Sequence, residues 1–118
     1  MRLEETYREF KDQADFYLIY LKEAHASDGR RPSRSVKIEQ HKILEDRKKA
    51  ATGCVAELKL SMPLLLDDME NTVGDAFSGH PDRLFILSPS GKVSYRGRRG
   101  PRGFDVAEMR AALEKALR

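Results

Sequence analysis

The chain has 118 residues, 40% of them hydrophobic and 35% charged, which is enough apolar material for a single compact domain over residues 1–118. A formal charge of +3, from 22 Lys and Arg against 19 Asp and Glu, is too small to mark a nucleic-acid binder. The lone Cys54 excludes an internal disulfide, a CxxC pair and a cysteine-rich zinc site, and the scattered His25, His41 and His80 form no metal-binding pattern.

In chain order, Leu3, Tyr7, Phe10 and Ala14 recur at helical spacing and predict an amphipathic first helix. The run FYLIYL, Phe16 to Leu21, is continuous, apolar and rich in aromatic and branched residues, the pattern of a strand covered on both faces. A polar loop with Gly29 and Pro32 follows, DGRRPSRS. From Val36 to Leu60, the positions Ile43, Ala50, Ala51, Cys54 and Leu58 mark one face of a long helix, in which Cys54 reads as a small buried hydrophobe without a redox role.

PLLLD predicts a second short strand, and Asn71 is placed to cap a short helix carrying Val73, Ala76 and Phe77 and ending near Gly79. RLFILS and KVSYRG flank SPSG and predict a hairpin. Asp105 and Glu108 form a D-x-x-E start signal for a terminal helix lined by Val106, Met109, Leu113, Ala116 and Leu117. Helices alternating with strands argue for an α/β sheet flanked by helices.

No apolar run approaches the roughly 20 residues that span a bilayer, and MRLEETYREF lacks the apolar core of a secretion signal. The chain reads as soluble and cytoplasmic, with no membrane or nucleic-acid partner.

Chemistry concentrates after the first strand. In EAHASDG, Glu23 and His25 are two apart, so in a continuing strand they share a face, where a carboxylate can orient an imidazole. The competing reading is a solvated strand end. Ser27, Asp28 and Gly29 are a turn with a structural role. His41, near the start of the long helix, reads on its own as a surface histidine. YRGRRGPRGF holds four arginines among glycines; nucleic-acid contact is one reading, but the glycines and Pro101 equally suit a loop joining hairpin to helix.

FYLIYLKEAHASDG resembles the signature segment of the iodothyronine deiodinase family, with Ala26 where the family has proline and Arg30 where it has tryptophan. The resemblance continues through VKIEQHKILEDRKKAA, with His41 followed by Glu45, Asp46 and Arg47, and through DDMENTVGDAF, PDRLFIL and YRGRRGPRGF. It implies a thioredoxin-like sheet of parallel strands plus a C-terminal hairpin and closing helix. The N-terminal central strand, which carries a selenocysteine or cysteine nucleophile in the family, has no counterpart here. Cys54 does not match that nucleophile, and the edges beside a missing strand are candidate dimer contacts.

The same resemblance implies a proton-transferring and substrate-binding role for His25 beside Glu23. It implies substrate contacts for His41 and Arg99, the latter gripping an anionic group, and a place near the site for Pro81, where thioredoxin-like proteins often have a cis-proline. No cofactor or metal is implied beyond a thiol reductant. The substrate is then a small anionic aromatic or halogenated molecule. Two functions stay open: a deiodinase-like thiol or selenol oxidoreductase whose nucleophile lies outside this chain, and a non-catalytic redoxin-fold binding or scaffold module.

Overall fold

A computed structural model describes residues 2–22 and 40–118, a mixed α/β structure that divides into two compact units. The predicted turn at Ser27 and Asp28 and the pair Glu23 and His25 lie outside the described residues.

One unit comprises residues 16–80. Strand β1, Leu18–Tyr20, pairs in parallel with β2, Leu64–Leu66, in the register Leu18 to Leu64 and Tyr20 to Leu66. Parallel neighbours need a crossover, and α2, Leu44–Leu58, lies between them in sequence and packs against β2. β1 is half-buried along its length, and Tyr17 beside it is exposed, so the expectation of a strand covered on both faces is not met among the described residues.

Helix α2 departs from expectation at its start and at the ends of its apolar face. It begins at Leu44 rather than Val36, because the Asp46 carboxylate accepts the amides of Lys42 at 3.1 Å and Ile43 at 3.3 Å and holds Ile43 extended ahead of the first turn. The expected apolar face holds at its middle, where Ala51 is buried and Ala50 and Cys54 are half-buried. Its ends are open, Ile43 being 59% and Leu58 45% exposed, and Arg47, one turn before Ala51 on the same face, is buried although charged. Ala51, Leu60 and Met62 form the buried apolar centre of this unit.

The second unit comprises residues 1–15 and 81–118. Here α1, Arg2–Phe10, packs on α4, Val106–Ala116, burying Leu3, Phe10, Met109 and Leu113. Arg110 lies over the Phe10 ring at 5.4 Å and donates to Glu9 and Glu114 at the rim of this contact. The predicted hairpin is present as β3, Phe85–Leu87, and β4, Val93–Arg96, which pair antiparallel around a turn where Gly91 takes φ +86°. Asp105 caps α4 by accepting the Glu108 amide at 3.0 Å, as its D-x-x-E pattern predicts. The Glu108 carboxylate instead accepts from the Tyr95 hydroxyl; burial first, then this carboxylate, push the Tyr95 phenol up to about 12.

Two glycines illustrate opposite constraints. A Cβ on Gly103 would sit 2.5 Å from the Arg98 Cβ and from the Arg99 carbonyl oxygen, so only glycine fits this turn, whereas Gly53 lies exposed in α2 with nothing within 4 Å of a Cβ. Gly103→Ala is therefore expected to destabilise the chain by about 1–3 kcal/mol through crowding. Gly53→Ala is expected to stabilise it by about 0.5–1 kcal/mol. Denaturant midpoints of both variants check this pair; shifts of the same sign would contradict it.

Candidate functional site

The carboxyl ends of β1 and β2 carry a buried polar cluster. The Asp67 amide donates to the Tyr20 carbonyl at 3.0 Å, extending the ladder by one step, and the chain beyond it turns over these strand ends. Crevices outside the carboxyl ends of parallel strands are the usual ligand positions of α/β sheets, because the strands fix the walls while the loops supply the chemistry. In sequence EAHASDG follows β1, outside the described residues.

Arg47 lies at the centre of the cluster, only 2% exposed although charged. It projects from the first turn of α2, on the same face as Ala51. Its Nε donates to the Nδ1 of His41 at 3.0 Å. Its Nη1 donates to the main-chain carbonyls of Asp67 at 3.2 Å and Asp68 at 2.7 Å, and its Nη2 to the Asn71 side-chain oxygen at 3.2 Å. A buried guanidinium is tolerated only when its nitrogens find acceptors, and these four bonds engage all three of them in the planar fork that arginine alone provides.

Asp67 is the second buried charge, 1% exposed. Its Oδ1 accepts the amides of Asp68 and Val73, both at 2.9 Å, and its Oδ2 accepts the amide of Gly74 at 2.8 Å. These bonds cap α3, Thr72–Ala76. Asn71, expected as the cap, makes no side-chain cap bond; it adopts φ 60° and turns its side chain to Arg47 instead. Gly74 eases this approach, since a Cβ there would lie 3.1 Å from the Asp67 carboxylate and press it back by a few tenths of an ångström. Asp68 adds an outer layer, and the Thr72 hydroxyl followed by the Thr72 amide holds its carboxyl below the usual range.

His41 is buried, 8% exposed, which overturns its reading as a surface histidine. Its ring stands 6.0 Å from the Tyr20 ring, centroid to centroid. A guanidinium only donates, so the Nδ1 that receives Arg47 carries a lone pair, and the neutral ring bears its proton on Nε2.

Arg99 belongs to the other unit, in the turn after β4. Its side chain is exposed, as are those of Arg98 and Arg102. The Arg99 carbonyl accepts the Gly103 amide at 3.0 Å, and the Gly100 amide donates to the Asp82 carbonyl at 2.9 Å, so the loop is held by its own backbone. Pro81 is exposed, and its peptide bond is trans; among the described residues the cis bond is Gly100–Pro101. No group of three or more His, Cys, Asp or Glu side chains among the described residues is arranged to hold a metal. No helix among them is long and apolar enough to cross a membrane.

Arg47 and Asp67 were missed as site residues by the sequence reading. Both stand in segments that carried the family resemblance, the Glu-Asp-Arg triplet after His41 and the Asp-Asp pair before Met69; Asp67 offered a signal as a charge ending an apolar run, whereas Arg47 sits among consecutive charges from Glu45 to Lys49 and offered none.

The architecture and cluster define a mixed α/β protein with a polar site at the carboxyl ends of a parallel strand pair. The family pattern for iodothyronine deiodinase matches residues 2–117, and the chain belongs to that family. It is 39% identical over 107 residues to a type I iodothyronine deiodinase from Xenopus laevis, covering 91% of this chain and 42% of that protein. It is 38% identical over 108 residues to a thyroxine 5-deiodinase from Gallus gallus, with 91% and 41% covered, and 39% identical over 107 residues to one from Ovis aries, with 90% and 36% covered. The chain thus spans about two-fifths of the length of these curated relatives.

Replacing Asp67 by Asn keeps the side-chain volume but presents an NH2 group to one of the amides it now accepts. The substitution is expected to cost about 1–3 kcal/mol, the scale of a buried donor left unsatisfied. Chemical denaturation checks it; an unchanged midpoint would show that α3 does not depend on this carboxylate.

Proposed function

We propose that this chain supplies the substrate-binding side of a thioredoxin-like, deiodinase-type oxidoreductase, working with a thiolate or selenolate held outside residues 1–118. The observation that carries the reading is the buried His41 at the carboxyl ends of the parallel strands, within a family match that runs over residues 2–117. The element order helix, strand, helix, strand, short helix, hairpin and closing helix supports the thioredoxin-like assignment. Cys54 sits inside α2, half-buried, and is not assigned the nucleophile's role.

In the proposed reaction the chalcogen takes halogen from an aromatic carbon as the carbon–halogen bond breaks, and that carbon accepts a proton. A thiol reductant then releases halide, so that two thiols become one disulfide and supply the two electrons. His25, oriented by Glu23, delivers the proton. His41 donates to an acceptor oxygen of the substrate, and Arg99 grips its anionic group as a bidentate guanidinium clamp. The relatives named for thyroxine point to iodinated phenols as the substrate class.

The test uses the full-length protein, an iodinated hydroxybenzoate and a dithiol. Thiol-dependent iodide release is expected; ligand binding without release would favour the non-catalytic binding module. Arg99→Ala is expected to weaken ligand binding by roughly 1.5–3 kcal/mol, the scale of a charge-assisted hydrogen bond. Arg98→Ala and Arg102→Ala, removing exposed loop charges, are expected to cost under about 1 kcal/mol. Titration calorimetry of the three variants checks this, and equal losses across them would remove the clamp.

A further inference from the structure

We propose that Arg47 is a positioning residue that fixes the tautomer of His41, so that the imidazole meets its ligand as an Nε2–H donor and never as an acceptor. The inference rests on the substrate role given to His41 above and deepens it. It starts from the direction of one hydrogen bond, Arg47 Nε to His41 Nδ1 at 3.0 Å.

An imidazole in water exchanges between two neutral tautomers and, near neutral pH, its cation. Arg47 removes that freedom. The guanidinium has no lone pair to offer, so a proton on Nδ1 would leave two N–H groups facing each other across a buried contact. Arg47 cannot swing aside to accommodate it, because Nη1 is held by the carbonyls of Asp67 and Asp68 and Nη2 by Asn71. Those carbonyls belong to backbone that Asp67 itself pins to α3. Arg47 from α2 and Tyr20 from β1 face the ring, and Arg47 links it to the Asp67–Asp68 backbone.

The consequence is chemical selectivity. A ring locked as an Nε2–H donor selects an oxygen that accepts, such as a phenolate or carboxylate, and discriminates against an aryl ether or amine lacking a strong acceptor there. It also excludes His41 from taking a proton at Nε2 as a general base. Within the proposed reaction that separates the histidines: His41 holds the substrate oxygen, and proton delivery is left to His25.

The test is the pair of imidazole nitrogen resonances of His41 in 15N-histidine-labelled full-length protein, assigned with His41→Gln. A merely structural role for Arg47 would not fix this signature. The expected result is a pyridine-like Nδ1 and a pyrrole-like Nε2 in the unaltered protein near neutral pH. Arg47→Lys keeps the charge but lacks the fork, and is expected to show averaged nitrogens with at least roughly fivefold weaker binding of an iodinated hydroxybenzoate. Arg47→Gln, should it fold, is expected to do the same. A pyrrole-like Nδ1 in the unaltered protein, or an unchanged pattern in Arg47→Lys, would overturn the inference. If the pattern follows Arg47 as expected but the iodinated hydroxybenzoate leaves the His41 resonances untouched, the tautomer lock stands and the substrate role of His41 falls.

Discussion

A guanidinium taken out of water is the constraint around which residues 16–80 are arranged. Burying an isolated charge costs several kcal/mol even after relaxation, and Arg47 is almost completely covered. The cost is offset only if its donors are satisfied in one geometry, which ties the first turn of α2 to the turn after β2 and to the imidazole of His41. Asp67 reinforces the same turn from the other side by accepting amides of α3. The two buried charges thus act on one short stretch of backbone, and the carboxyl end of the parallel pair becomes rigid where a ligand site needs walls of fixed shape.

The remaining unit solves a different problem. Its helices meet through Phe10, Met109 and Leu113 and leave charge at the rim, an ordinary apolar contact. What is specific is the Arg-rich turn after β4. Gly103 allows a close backbone approach that no side chain would permit, and the turn's own amides close it. Arg99 is exposed on a loop of defined shape, which suits the anion-gripping role proposed for it.

Much of the framework was legible in the sequence. The hairpin followed from two short apolar runs around SPSG, the last helix from Asp105 and its three-residue spacing to Glu108, and the second strand from PLLLD. Helix α2 was harder. Apolar spacing found the face through Ala50, Ala51 and Cys54 but not the Arg47 that shares it, because hydrophobic periodicity has no means of marking a buried arginine as a core position. The extended start at Ile43 depended on a side chain, Asp46, reaching back to amides before the helix, which looks in sequence like one more acidic residue in a first turn. His41 was likewise read as a surface residue on its own spacing, and only the resemblance pointed to a pocket. Burial of polar groups is decided by partners distant in sequence, twenty or more residues from Arg47 in this case.

The central claim is that Arg47 holds the carboxyl end of the parallel pair together, and native-state hydrogen exchange measures this most directly. The amides of Asp68, Val73 and Gly74 donate to Asp67, whose carbonyl Arg47 secures. In Arg47→Lys these three amides are predicted to exchange roughly tenfold faster or more, an opening made easier by about 1.4 kcal/mol, while Ile86 and Tyr95 in the hairpin keep their rates. Unchanged protection at Val73 and Gly74, or a uniform loss that includes the hairpin, would contradict the account.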